Sequence, residues 1–135
     1  MYIIVCVDKN RGMMFGNKRQ SQDSILRQKV MELSVDTKLW MNQYSAKQFA
    51  EYTKYIVSDN FLNEAGPGEF CFVENETIPE SGVEKIYVFC WNRKYPGDVF
   101  FDFDLTANGF KRESKTEFAG SSHDKITLEV YKKEE

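Results

Sequence analysis

An α/β fold, with a mainly parallel central sheet flanked by helices and an antiparallel C-terminal hairpin, is predicted by three stretches of this sequence. The first is the opening, where the β-branched run Tyr2-Ile3-Ile4-Val5-Cys6-Val7 passes through a polar loop over 8–22 into an amphipathic pattern after Asp23. That is the first half of a βαβ unit, which requires a parallel partner strand. The second stretch, 38–42, is the expected partner. The third is the C-terminal pair 110–118 and 125–133, where Ile126, Leu128 and Val130 alternate with Thr127, Glu129 and Tyr131. Alternation of this kind marks half-exposed antiparallel strands.

In chain order, the loop over 8–22 holds Gly12 and Gly16 around Met13, Met14 and Phe15, which must pack back onto the domain or cover a cleft. Asp23 is the expected N-cap of a helix whose Leu26, Val30 and Leu33 fall on one face. After the inner strand 38–42, Ser45 and Gln48 form a capping-box pattern, and Ala46, Phe49, Ala50 and Thr53 give a narrow buried stripe. A short helix is expected over 59–65, stopped by Gly66-Pro67-Gly68, with a strand at 70–74 after it. The unbroken apolar run at 85–91 reads as another inner strand. Tyr95-Pro96-Gly97-Asp98 has the proline and glycine of a type II turn, leading into a strand at 99–103. Residues 119–124 form the loop of the final hairpin.

With 135 residues, of which 41% are hydrophobic and 15% aromatic, one domain over 1–135 can build its own core. A net charge of -3 argues against bulk nucleic-acid binding, which needs an excess of Lys and Arg. Three cysteines, Cys6, Cys71 and Cys90, lie within apolar runs and fit no zinc spacing, so free thiols and a cytoplasmic location are expected. The opening apolar run is too short for a signal peptide core, and no stretch suits a membrane span.

Charge is unevenly placed. Lys9, Arg11, Lys18, Arg19, Arg27 and Lys29 crowd the start, whereas residues 59–84 contain seven carboxylates and no Lys or Arg. In open α/β sheets, ligands sit beyond the carboxyl ends of the parallel strands. That edge gathers Asn42, Tyr44, Ser45, Trp91, Asn92 and Arg93, with Arg11 and Arg19 supplied by the loop, as the candidate site for a small anionic ligand. The bland alternative is a sheet end closed by Trp91 and residues 13–15. His123 is the only histidine; Asp124 could orient it and Ser122 adjoins it, but chain neighbours alone are no catalytic triad.

Several strings, in the right order, resemble dihydrofolate reductase over nearly the whole chain. Residues 3–12 are similar to that family's first strand and mobile loop, and Leu39-Trp40-Met41-Asn42-Gln43-Tyr44-Ser45 to its second strand and cofactor-binding helix. Phe100-Phe101-Asp102 and residues 122–131 are similar to its last strands. The resemblance implies the fold, an NADPH cofactor and a pteridine site. Leu26, with Arg27 beside it, falls where the family's ring-holding carboxylate is expected, and Cys90-Trp91 where its paired glycines are expected; the span from Val73 to Ile86 lacks an extra strand and helix. A leucine cannot make the charged hydrogen bond, and an indole fills the room a dinucleotide needs. Asp23 and His123 are left as the catalytic candidates.

The expected function is therefore small-ligand or partner binding on a reduced reductase scaffold, with no cofactor. The alternatives are an NADPH-dependent reductase with Asp23 as its acid and a homodimer built on a sheet edge. Chains sharing strings like Trp91-Asn92-Arg93-Lys94-Tyr95-Pro96 and residues 118–123 carry the name ribonuclease Z. A two-zinc hydrolase needs several His and Asp ligands, so one histidine gives no metal site.

Overall fold

The computed structural model describes residues 1–134. Its main sheet has seven strands in the order β5 (Ile56–Val57), β4 (Leu39–Met41), β6 (Phe70–Phe72), β1 (Tyr2–Val7), β7 (Lys85–Cys90), β10 (Ile126–Lys133) and β9 (Phe110–Phe118). The first five run parallel; β10 runs antiparallel to β7, and β9 pairs antiparallel with β10 as the expected hairpin. A second sheet joins β3 (Lys18–Arg19), β2 (Gly12–Phe15) and β8 (Val99–Phe100). The loop over 8–22 thus contains two short strands.

Each face of the main sheet buries one set of side chains. Ile3, Val5 and Val7 of β1 point to the same side as Ile86 and Val88 of β7, where Met13, Phe61, Ile78 and Phe101 cover them. Ile4, Phe72, Phe89 and Trp91 face the other side, against Leu26 and Val30 of α1 (Ser24–Leu33) and Phe49 just after α2 (Gln43–Gln48). Apart from α3 (Phe61–Glu64), loops supply much of the first cover.

Several expectations are corrected. The strand at 38–42 is parallel but not adjacent to β1, because the fully buried Phe-Cys-Phe of β6 takes the central place between them. α2 begins at Gln43 with Asn42 as its cap, and Gln48 donates to Glu74 instead of closing a capping box. The helix ends at Gln48, leaving Ala50 and Thr53 exposed. Gly97 does not adopt the positive φ of a type II turn. It is small for another reason, since a Cβ there would lie 3.1 Å from the Gln20 amide that donates to Pro96 O. The strand expected at 99–103 is only β8, and it pairs with β2 in the second sheet.

Leu26, where the resemblance would place a carboxylate, is fully buried among apolar side chains. Leu26→Ala should cost about 2–5 kcal/mol in urea unfolding, as cavity-forming core truncations do. A loss under 1 kcal/mol would mean that the leucine is not a core residue.

Candidate functional site

Two buried carboxylates organise the carboxyl edge of the parallel strands. Asp8, just past β1, accepts from the amides of Asn10, Gly12 and Tyr95 at 2.7–2.9 Å. Burial would raise its carboxyl, but those amides outweigh it and hold the pKa below the ordinary value. Asp23 caps α1 through the amides of Ile25 and Leu26 and also accepts from Ser121 N, Ser122 N and Ser122 Oγ. His123 Nδ1 lies 3.0 Å from Asp23 Oδ2. Burial pushes Asp23 up, and the donors from Ser121, Ser122 and His123 more than reverse it, leaving the carboxyl far below the usual range.

Asp23, and not Asp124, therefore orients the histidine. With Nδ1 turned to the carboxylate, Nε2 faces Ser21 Oγ at 2.9 Å and Tyr95 Oη at 3.2 Å. The imidazole stacks on Trp91 with ring centroids 4.5 Å apart. Asp-His-Ser connectivity is present, but the His123 side chain is 2% exposed and that of Asp23 0%. The constellation ties residues 21–23, 91–95 and 121–123 together.

A second cluster lies at the end of β6. Glu74 accepts from Arg19 Nε and Nη2 at 2.9 and 3.1 Å, from Ser45 Oγ at 2.8 Å and from Gln48 Nε2 at 3.2 Å. The Arg19 guanidinium also lies over the Tyr44 ring, and the Tyr44 hydroxyl accepts from Arg19 N. Burial lowers the Arg19 pKa, but the bidentate contact with Glu74 raises it by more. The space left among Cys6, Met13, Gln20, Ser21, Glu74 and Trp91 is about 10 Å³. That is room for roughly one water.

The sequence-predicted ligand residues are thus distributed among separate contacts. Arg19, Tyr44 and Ser45 meet at Glu74, while Asn42 donates to Asn75 and Glu76. Trp91 belongs to the Asp23–His123 cluster, and Asn92, with φ 63°, bridges to Lys125 O and Thr127. Arg93 is exposed with a 3.5 Å contact to Ser122 O, and Arg11 lies over Phe101. Desolvation pushes the Cys71 thiol up to about 12 and Cys90 up to about 11, and raises Cys6 well above its usual value.

Open space lies elsewhere, in several surface grooves. A groove of about 660 Å³ runs between residues 75–80 and 98–108, on the loop-covered face, with Met13, Ile78, Phe101 and Phe103 among its walls. The acid-aromatic string Asp98-Val99-Phe100-Phe101-Asp102-Phe103-Asp104 was its visible signal in the sequence. Nothing comparable marks Glu74 as a meeting point.

No family model matches the chain, and no curated protein matches it. Among solved structures, the dihydrofolate reductase from Enterococcus faecalis, complexed with NADP(H) and RAB-propyl, superposes with a TM-score of 0.66 over 99% of this chain and 96% of that one. The fold is that of dihydrofolate reductase. At 9% identity the likeness concerns the fold and leaves function to be argued from the site. Among the described residues, no helix is long and apolar enough to cross a membrane.

Because its pKa is depressed in the folded state, Asp23 stabilises the fold above the ordinary carboxylate value, and that contribution is lost as pH falls below about 4. Asp23→Asn should lower stability at neutral pH by about 2–4 kcal/mol and flatten the acid limb of the stability–pH curve. An unchanged acid limb would contradict the assignment. Gly120→Ala should also destabilise, by about 1–3 kcal/mol in urea unfolding, because its Cβ would fall 2.4 Å from Asp23 Oδ2. A neutral effect would show that the carboxylate is not held against this backbone.

Proposed function

We propose that the chain is a binding domain that keeps the dihydrofolate reductase scaffold and has exchanged the reductase site for structural contacts. One observation carries this most directly: the space beside Trp91 is about 10 Å³, against a typical few hundred for a ligand pocket. A small ligand or a protein partner is then met at the open groove of the other face.

The residues at the carboxyl edge do not fit a dinucleotide. Its phosphates need free donors or cations and close backbone approach. Here Glu74 is a buried carboxylate at the end of β6 and already holds Arg19, while Glu76 adds a second acid two residues on. The amide of Ser45 is taken by Asn42 Oδ1. Asp23 is equally ill-suited as a proton donor, since its two oxygens accept from five backbone or hydroxyl groups and face the imidazole.

Thermal-shift measurement with NADPH, folates and nucleotides, joined to an absorbance assay for NADPH oxidation, tests the proposal. No shift with NADPH and no substrate-dependent loss of its absorbance are expected. A clear shift accompanied by turnover would replace the binding domain with the reductase.

A further inference from the structure

We propose that the groove between residues 75–80 and 98–108 docks a basic polypeptide segment, lysine- or arginine-bearing and with apolar side chains between its charges. This rests on the binding-domain proposal and names the partner's chemistry. The first ground is charge. Glu76, Glu80, Asp98, Asp102 and Asp104 all line the groove, and no Lys or Arg lines it. Among the described residues none of the five has an ion-pair partner, whereas Glu74, Glu84, Glu113 and Glu129 elsewhere do.

Three of these carboxylates do have local hydrogen bonds. Glu76 accepts from Asn42, Asp98 from Gly16 N and Asp104 from Ala107 N. Those contacts fix the groups in place without neutralising them. Like charges gathered in a cleft focus a negative potential, and a cationic partner relieves their mutual repulsion while gaining from the field.

The second ground is the apolar surface that continues past the groove. Val99 is 40% exposed and Phe100 47% exposed at its wall, and Phe15 on the paired strand β2 is 51% exposed. Large exposed apolar side chains on neighbouring strands mark a contact surface, and aromatic rings also receive ammonium and guanidinium groups. The chain's own Arg11 already makes this contact, 4.8 Å from the Phe101 centroid.

The third ground favours a polypeptide over a small polyamine. β8 is the outer strand of the three-stranded sheet, so among the described residues one of its sides has no strand partner. An extended segment laid there can pair its main chain with β8 and set its alternate side chains against Val99 on one side and Phe100 on the other, within reach of the carboxylates that line the groove. A simple amine gains nothing from Phe15, which lies outside the groove lining.

The test uses the full chain and a fluorescent ten-residue peptide of alternating Lys and Leu, followed by anisotropy at low and high salt. Saturable binding is expected, weakening as salt rises. Glu80→Gln with Asp102→Asn removes two exposed charges that have no hydrogen-bond partner among the described residues, and should weaken binding tenfold or more. Phe100→Ser should do likewise. Glu32→Gln with Asp36→Asn, two exposed acids away from the groove, should leave affinity within twofold. A Glu-Leu peptide should not bind.

Absence of binding by the unaltered protein, or an equal loss in the Glu32/Asp36 variant, would overturn the proposal. So would an aliphatic triamine that binds as tightly as the peptide. Each of those results, with NADPH still giving no shift, would leave the binding domain standing with a different partner. A positive NADPH result would remove both. Circular dichroism of each variant separates lost binding from lost folding.

Discussion

A buried carboxylate that must find donors is the constraint on which the closed edge of this molecule depends. Asp23 is placed at the start of α1, where helix amides need a cap, and its second oxygen then has to be satisfied away from water. The loop of the terminal hairpin does this, bringing Ser121, Ser122 and His123 from about a hundred residues away. Gly120 makes the approach possible by lacking a Cβ. Once the imidazole is held, it stacks on Trp91 and reaches Ser21 and Tyr95, so one carboxylate fixes three segments of chain.

Glu74 solves the same physical problem by a different route. A carboxylate at the end of an inner strand is stranded in low dielectric unless it is paired, and Arg19, Ser45 and Gln48 complete its hydrogen bonds. In doing so they draw the loop strand β3 and helix α2 over the strand ends. The two clusters close the carboxyl edge of the parallel strands. On the sheet face away from α1 and α2 loops carry part of the cover, and there the surface opens into an acidic, aromatic groove.

What was legible in the sequence was local periodicity. The β-branched opening, the alternation over 125–133 and the apolar stripe of Leu26 and Val30 led to the correct elements, and the ordered strings of residues led to the correct fold. Sheet order was less readable, because a three-residue strand such as β6 looks the same whether central or peripheral. Asp23 was readable as a cap from its neighbours, but its contact with His123 was not, since Asp124 is the nearer acid in the chain. The roles of Arg19 and Glu74 depend on a pairing 55 residues apart, which no spacing rule anticipates. Gly97 shows the opposite case, where a turn motif was visible but the glycine answers to a side chain packed against it.

The imidazole of His123 reports on the closed edge most directly, because it touches Asp23, Ser21, Tyr95 and Trp91 at once. Nitrogen-15 NMR of this single histidine at neutral pH reads which ring nitrogen carries a proton and how fast that proton exchanges with water. The clasp requires a protonated Nδ1 whose proton exchanges slowly and shows contacts to the Trp91 indole. A proton on Nε2 alone, with rapid exchange, would mean that the ring is free of Asp23 and that the edge beside Trp91 is open.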